Sequence, residues 1–106
     1  MVKRGEIWLA ALDPTLGSEI RKTRPCIVIS PPETHDHLRT AIVAPMTTGS
    51  HAAPFRVAIQ FQGKTGLVLL DQIRTLDKTR LVKRLGSTRA ATLSQILGTL
   101  QDVFAS

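Results

Sequence analysis

The chain has 106 residues, of which 42% are hydrophobic and 21% are charged. This length provides for one hydrophobic core and excludes a multidomain enzyme, so we expect residues 1–106 to form a single domain. The longest apolar runs, residues 26–29 and 66–70, are much shorter than the roughly 18 residues that a membrane-spanning helix requires. The N-terminus lacks the apolar core of a signal peptide, and the single cysteine, Cys26, cannot form an internal disulfide bond. We therefore expect a cytoplasmic protein with no membrane partner.

The charge of the chain indicates a class of partner. Fourteen Lys and Arg residues against eight Asp and Glu residues give a formal net charge of +6, which favours polyanions such as nucleic acid. The alternative is that the charge only keeps a small protein soluble. Clustering favours the polyanion, because six basic residues and one acidic residue lie between Gln72 and Arg89. A second basic group follows Glu19 and consists of Arg21, Lys22 and Arg24.

Short β-branched and alternating segments predict five or six strands separated by Gly and Pro turns. In chain order they are residues 6–10, 26–30, 40–45, 55–61, 67–70 and 80–85. The clearest is 55–61, where Phe55, Val57, Ile59 and Phe61 share one face. Residues 62–66 are predicted to form the hairpin connection that follows.

The last segment changes to a helical period. Its apolar residues form one stripe of an amphipathic helix, which Ser87 or Thr88 would cap: Leu93, Ile96, Leu97, Leu100, Val103 and Phe104. Short strands followed by one helix predict a mainly β protein with some α structure, a small barrel closed or covered by a C-terminal amphipathic helix.

Conventional catalytic groups are few. His35 and His37 are spaced like metal ligands, but only His51 and scattered carboxylates could complete a site, so a solvated loop is the better interpretation. Cys26 begins a β-branched run and is predicted to be a small buried residue rather than a nucleophile. Residues 63–65 resemble the end of a phosphate-binding P-loop without its upstream glycine or following helix. We therefore predict no metal and no cofactor.

Arginine and hydroxyl groups remain as candidates. Arg24 stands ahead of the strand that begins at Cys26, at the rim of the sheet, with Pro25 stiffening the approach. Its planar guanidinium suits a phosphate and the extra charge of a pentacoordinate phosphorane. Thr47 and Thr48 follow the strand at 40–45. Such residues are commonplace on protein surfaces, so they leave the function open by themselves.

Five segments occur in a characteristic order over nearly the whole chain. They are KRGEIWL (3–9), DPTLGSE (13–19), RPCIVIS (24–30), VAPMT (43–47) and LDQIRTLDKTRL (70–81). Together they resemble the MazF/PemK family of toxin ribonucleases. The resemblance implies an SH3-like barrel of the CcdB type and a homodimer that cuts single-stranded RNA, often mRNA, at short sequences without a metal. It also implies an acidic antitoxin whose C-terminal segment occupies the RNA groove, and contact with DNA only through the antitoxin complex.

The resemblance also assigns roles to residues. By position, Arg24 and Thr47 match the family's catalytic pair, and Glu19 matches a residue that handles the substrate. The remaining residues expected to bind substrate are Arg21, Lys22, Ala53, Pro54 and Gln72, of which the last three match positions that contact bases. Ile20 stands where many relatives carry Gln, so the cleavage sequence cannot be transferred from a relative.

Two further functions stay open at this point. A CcdB-like protein would poison gyrase by contact, but that activity depends on the end of the C-terminal helix, whereas the residues suited to phosphate lie at strand ends. An inactive RNA-binding or assembly domain is the other alternative. Dimerisation would cover strand edges and join two basic grooves, although the helix stripe is equally suited to an intramolecular core.

Overall fold

The structure, a computed structural model, describes residues 2–12, 23–49 and 51–105. Within these ranges it contains seven strands, two α-helices and two 3₁₀ turns. The strands are β1 (Glu6–Ala11), β2 (Thr23–Val28), β3 (Thr40–Thr47), β4 (Arg56–Phe61), β5 (Lys64–Leu69), β6 (Arg74–Asp77) and β7 (Leu81–Ser87). The helices are α1 (Pro32–His35) and α2 (Ala90–Phe104), and the 3₁₀ turns are Leu70–Gln72 and Lys78–Arg80. This architecture confirms the predicted fold class, although sequence analysis missed β6 and α1.

The sheet is antiparallel and bends around β3. Its strand order is β4–β5–β3–β2–β1–β7, and β6 also pairs with β3. One edge of β3 pairs with β2, whereas the other pairs first with β6 and then, at Met46 and Thr47, with β5. A strand that changes partner along its length lets a sheet turn a corner. Thr47 therefore lies where the two parts of the sheet meet.

Alternating side chains of the bent sheet form two hydrophobic clusters. The first contains Ile7, Ile27, Ile29, Ala44, Met46, Val57, Ile59, Val68, Leu70 and Ile96. The second contains Ala10, Leu12, Cys26, Val28, Val43, Leu76 and Leu81. Successive residues of β2 enter different clusters, because neighbouring side chains of a strand point to opposite faces. The sheet thus has apolar residues on both faces.

Helix α2 confirms the predicted amphipathic segment, but two details differ. Ile96 is fully buried in the first cluster, whereas Phe104, at the end of the stripe, is 73% exposed. The predicted caps are also wrong, because Arg89 occupies the N-cap position without a side-chain hydrogen bond. Ser87 still belongs to β7, and its hydroxyl accepts a hydrogen bond from Arg84 instead. Neither helix of the described ranges combines the length and apolar character that crossing a membrane requires.

The predicted solvated loop around His35 is wrong. Pro32–His35 form helix α1, whose first-turn proline has the backbone angle that a helix start needs. His35 is 1% exposed, and its Nδ1 lies 2.9 Å from Ser30 Oγ. Ser30 Oγ already accepts the Ile42 N–H at 3.1 Å, so its hydroxyl proton is available to His35. This polar contact fastens α1 to the end of the sheet.

The β4–β5 hairpin is tighter than predicted. Its turn is only Gln62 and Gly63, with φ angles of 52° and 75°, so Lys64 already belongs to β5 and pairs with Phe61. Positive φ angles at both positions are typical of the two-residue turns that match the twist of a hairpin. Phe55 departs from the prediction at the other end, because it lies in the turn before β4 and is 39% exposed.

A buried carboxylate links β1 to β7. Glu6 accepts hydrogen bonds from the Lys3 backbone N–H at 2.7 Å, from Trp8 Nε1 at 3.2 Å and from Arg84 Nε at 2.7 Å. Burial by itself raises the pKa of Glu6, but these hydrogen bonds and the charge of Arg84 outweigh it and lower the pKa below the usual glutamate value. Folding therefore favours the ionised carboxylate.

Substituting Glu6→Gln is expected to lower the free energy of unfolding by about 1–3 kcal/mol at neutral pH. A carboxyl whose pKa is lowered by folding stabilises the protein above its unfolded-state pKa, and that contribution is lost as pH falls through the folded-state pKa. Urea denaturation at neutral pH and at about pH 3 should therefore show the difference from wild type shrinking in acid. An equal difference at both pH values would contradict this role.

Candidate active site

The register of β2 against β3 brings two predicted site residues together. Cys26 pairs with Pro45, and Arg24 and Thr47 each lie two residues beyond this pair, at the adjacent ends of β2 and β3. Sequence analysis places Arg24 and Pro25 ahead of the strand, whereas both lie within β2 and pair with β1. The β2–β3 ladder begins only at Cys26, so the missing N–H of Pro25 leaves no bond of that ladder unmade.

Arg24 and Thr47 line one cavity of about 290 Å³ between the β2 and β3 ends and the β4–β5 hairpin. The other described residues of its wall are Pro25, Met46, Thr48, Ile59, Phe61, Gln62, Lys64 and Gly66. Met46 and Ile59 belong to the first hydrophobic cluster, so part of the wall is apolar and rigid. The cavity thus combines two cationic side chains and hydroxyl groups with an apolar surface.

The Arg24 guanidinium is available to a ligand. Its side chain is exposed, and within residues 2–12, 23–49 and 51–105 no hydrogen bond or ion pair holds it. A guanidinium stays protonated at any physiological pH and offers a planar fork of donors to a phosphate. Arg24 can therefore bind an anion without first releasing a described partner.

The Thr47 hydroxyl is oriented by the chain that follows it. Thr47 is the last residue of β3, and its Oγ1 accepts the Gly49 backbone N–H at 3.3 Å. This bond occupies an oxygen lone pair and leaves the hydroxyl proton for a second partner. Because Thr47 lines the same cavity as Arg24, it can donate to an anion held there.

Cys26 is close to the site and chemically inert. It is fully buried, and burial raises the pKa of its thiol to about 12, although the charges of Arg74 and Arg24 act in the opposite direction. A protonated, buried thiol is not a nucleophile. The prediction that Cys26 is a small buried residue is confirmed.

The residues predicted to contact bases lie on two segments that are next to each other. Ala53 and Pro54 are exposed between β3 and β4, and Gln72 is exposed in the first 3₁₀ turn. None of the three lines the described wall of the Arg24 cavity. Sequence analysis missed the side chains that join these segments, Arg56 and Asp71, which are bonded through 3.0 and 3.1 Å contacts. The hydrogen bond from Arg56 holds the pKa of Asp71 below its usual range.

Three other predicted substrate residues, Glu19, Arg21 and Lys22, lie outside the described residues, as does Ile20. Their assignments stay predictions. Among the residues that the structure does describe, no group of three or more His, Cys, Asp or Glu side chains is arranged to hold a metal ion.

Comparison with known proteins shows the relationship of the chain. Residues 3–104 match the family described as PemK-like, MazF-like toxin of type II toxin-antitoxin system. The chain belongs to this family. It is 38% identical to Endoribonuclease PemK of Escherichia coli, over 96% of this chain and 81% of that protein. It is 36% identical to Endoribonuclease MazF of Staphylococcus epidermidis, over 80% and 76% of the two chains.

Solved structures of other proteins have the same fold. MazF from Deinococcus radiodurans superposes with a TM-score of 0.81 at 27% identity, over 96% of this chain and 94% of that one. An endoribonuclease in complex with its cognate antitoxin, from a mycobacterial species, superposes with a TM-score of 0.78 at 26% identity, over 96% and 93%. The family resemblance found in the sequence is confirmed.

Gly66 allows β5 to approach β3 at the candidate site of this PemK/MazF protein. A Cβ atom at Gly66 would lie 2.8 Å from the Thr47 carbonyl oxygen and 3.7 Å from Thr48 Cγ2. The backbone oxygen cannot rotate away, so a side chain would separate β5 from β3 at the cavity. Sequence analysis placed Gly66 in the hairpin connection 62–66 and missed this close approach, which an isolated glycine within a strand would have indicated.

The substitution Gly66→Ala is expected to lower the free energy of unfolding by about 1–3 kcal/mol, because β3 and β5 must move apart. Gly98→Ala is the matched control, since a Cβ at Gly98 meets nothing within 4 Å in the middle of α2. That substitution should raise stability by about 0.5–1 kcal/mol. Urea denaturation of both variants measures the contrast, and equal stability of the two would show that the close approach is unimportant.

Proposed function

We propose that the chain is a metal-independent endoribonuclease toxin that cuts single-stranded RNA, including mRNA, at a short sequence and so inhibits translation and growth. The observation that carries this proposal is the cavity that Arg24 and Thr47 share, with an exposed guanidinium beside an oriented hydroxyl. Membership of the PemK/MazF toxin family and the names of the relatives, Endoribonuclease PemK and Endoribonuclease MazF, support it.

RNA carries its own nucleophile, and this limits what the protein must supply. The 2′-hydroxyl next to the scissile phosphate attacks phosphorus, its proton is removed, and the 5′-oxygen of the next nucleotide leaves with a proton. The protein must align these groups and stabilise the added negative charge. The products are a 2′,3′-cyclic phosphate and a 5′-hydroxyl end. DNA lacks the 2′-hydroxyl and is not a substrate.

Arg24 and Thr47 act on the phosphate itself. The Arg24 fork binds the non-bridging oxygens and opposes the charge of the phosphorane, and Arg24 is also a candidate proton donor to the leaving oxygen. A guanidinium is a poor base, because it stays protonated in proteins. The Thr47 hydroxyl donates to the same phosphate, since its oxygen is already engaged by Gly49. Glu19 is the candidate base or base-recognition group.

The rest of the cavity suits a nucleotide. Phe61 and Ile59 offer an apolar surface to a base, and Lys64 adds a positive charge for a neighbouring phosphate. Ala53, Pro54 and Gln72 would then contact bases beyond the cavity. The substrate is thus held by charge at the backbone and by shape and hydrogen bonds at the bases.

We propose the partners, the assembly and the location of the protein on the same basis. The net charge of +6 suits an acidic antitoxin segment that competes with RNA, and the mycobacterial relative was solved with its cognate antitoxin. We propose a cytoplasmic homodimer in which residues 1–106 form a single toxin domain. Contact with DNA is expected only through the antitoxin complex.

Incubation of the purified protein with a long single-stranded RNA in EDTA, followed by sequencing of the new ends, tests the proposal. Cuts at one short sequence with 5′-hydroxyl ends are the expected result. A parallel gyrase supercoiling assay tests the alternative function, a CcdB-like gyrase poison. The names of the relatives do not favour this alternative. Intact RNA with inhibited gyrase would identify a CcdB-like poison, and intact RNA with active gyrase would indicate a binding or assembly domain.

A further inference from the structure

Arg56 connects two exposed segments at the end of the β4–β5 hairpin opposite its turn. It lies at the start of β4, and its side chain is only 19% exposed. Arg56 Nε donates to Asp71 Oδ1 at 3.1 Å, and Nη2 donates to Asp71 Oδ2 at 3.0 Å, a two-pronged contact. Nη1 donates to the His51 carbonyl oxygen at 3.2 Å. One guanidinium therefore binds the loop before β4 and the 3₁₀ turn after β5.

Backbone hydrogen bonds hold the same two segments together. The Arg56 N–H donates to the Ala53 carbonyl at 3.1 Å, which closes a turn at residues 53–56. The Leu70 N–H donates to the Phe55 carbonyl at 3.2 Å, which joins that turn to the 3₁₀ segment. The hydrogen bond from Arg56 lowers the pKa of Asp71. Asp71 immediately precedes Gln72 in the 3₁₀ turn Leu70–Gln72, so the network joins loop 51–55 to the turn that carries Gln72.

This network positions two segments relative to each other and contributes little to the free energy of unfolding. Asp71 is 39% exposed, and ion pairs at this exposure contribute little to the free energy of unfolding because water screens them. Arg56 does not line the described wall of the Arg24 cavity, and its guanidinium is engaged by Asp71 and the His51 carbonyl. What the network does fix is the position of Ala53 and Pro54 relative to Gln72.

We propose that Arg56 is a positioning residue that sets the RNA sequence preference, by holding loop 51–55 against Asp71 and so beside Gln72. The inference rests on the proposed function and extends it to a residue outside the Arg24 cavity. Loop 51–55 and Gln72 form one rigid base-reading surface. Without the Arg56 fork the two segments would move independently, and bases would be discriminated less sharply.

The test compares the cleavage rates of many sequences at once. A pool of RNA with randomised positions around the cut is digested by wild type, Arg56→Gln, Arg56→Lys and Asp71→Asn, and the ends are sequenced. We expect discrimination between the best and the next-best base to fall by about tenfold in each variant. On the preferred sequence KM should rise while kcat stays within about threefold of wild type.

Three comparisons test whether the Arg56–Asp71 contact acts through its geometry rather than through its charge. Arg56→Lys keeps the positive charge but cannot bridge both carboxylate oxygens, so it should lose discrimination as Arg56→Gln does. Combining Arg56→Gln with Asp71→Asn should cost no more discrimination than Arg56→Gln alone, because Asp71 acts through its contact with Arg56. Lys83→Gln removes an exposed charge from β7 and should weaken cleavage of all sequences alike.

Each outcome decides the inference. An unchanged sequence preference in the Arg56 variants overturns it, and so does a uniform loss like that of Lys83→Gln. A normal urea denaturation midpoint for Arg56→Lys excludes unfolding as the cause of any loss. Absence of RNA cleavage by the wild-type protein overturns the proposed function together with the inference, whereas cleavage with unaltered preference overturns the inference alone.

Discussion

Replacing Arg24 with alanine is expected to reduce the rate of RNA cleavage by about a thousandfold. The side chain is exposed and holds no described partner, so its removal should leave the fold intact. The loss falls on the reaction, because the phosphorane then forms without the group that opposes its charge. Single-turnover cleavage of a saturating short RNA measures this rate without interference from product release.

Matched variants show whether geometry or charge is responsible for the effect of Arg24. Arg24→Lys keeps the charge but loses the planar fork, so its rate should lie between wild type and Arg24→Ala. Lys83→Ala removes a charge on β7 and should mainly weaken RNA binding. A rate for Arg24→Ala within about tenfold of wild type would exclude Arg24 from the chemical step.

Replacing Thr47 with valine is expected to lower the single-turnover rate by about a hundredfold. Valine keeps the shape of threonine at the end of β3, but it removes both the donor to the phosphate and the acceptor for the Gly49 N–H. Thr47→Ser retains the hydroxyl and should keep most of the activity. If the Val variant cuts RNA as fast as the Ser variant, the hydroxyl has no part in the reaction.

Thr47 and Arg24 should also behave as a unit. Both are expected to bind the same phosphate, so the double variant Arg24→Ala, Thr47→Val should lose less activity than the product of the two single losses. Measurement of all four rates on one RNA gives the coupling between the residues. Independent losses would indicate that the two side chains contact different parts of the substrate.

Sequence patterns predicted the strands and helices whose structure depends mainly on their own residues. The alternation in β4 and the helical period of α2 are properties of each segment, and both were identified from the sequence. Strand β6 was missed because Leu76 is its one buried residue, and its extended form depends on pairing with β3. Helix α1 was missed because burial of His35 depends on Ser30, at the end of another element.

The residues of the candidate site also divide into those that a local motif predicts and those that only tertiary contacts reveal. Arg24 and Thr47 could be identified from their motifs, but their proximity follows from the register of β2 against β3, which no single segment determines. The close approach at Gly66 and the contact of Arg56 with Asp71 are tertiary features, fifteen residues apart in the second case. Sequence analysis therefore found the candidate chemical groups and missed the residues that position them.

The proposed reaction depends on the 2′-hydroxyl of the substrate, and one altered RNA tests that dependence. Once the cleavage sequence is mapped, a single 2′-deoxynucleotide is placed on the 5′ side of the scissile phosphate in an RNA that also carries an unmodified copy of the sequence. The protein should cut the unmodified copy to a 2′,3′-cyclic phosphate and leave the deoxy site intact. Cleavage at the deoxy site would contradict attack by the 2′-hydroxyl and would require a nucleophile from elsewhere.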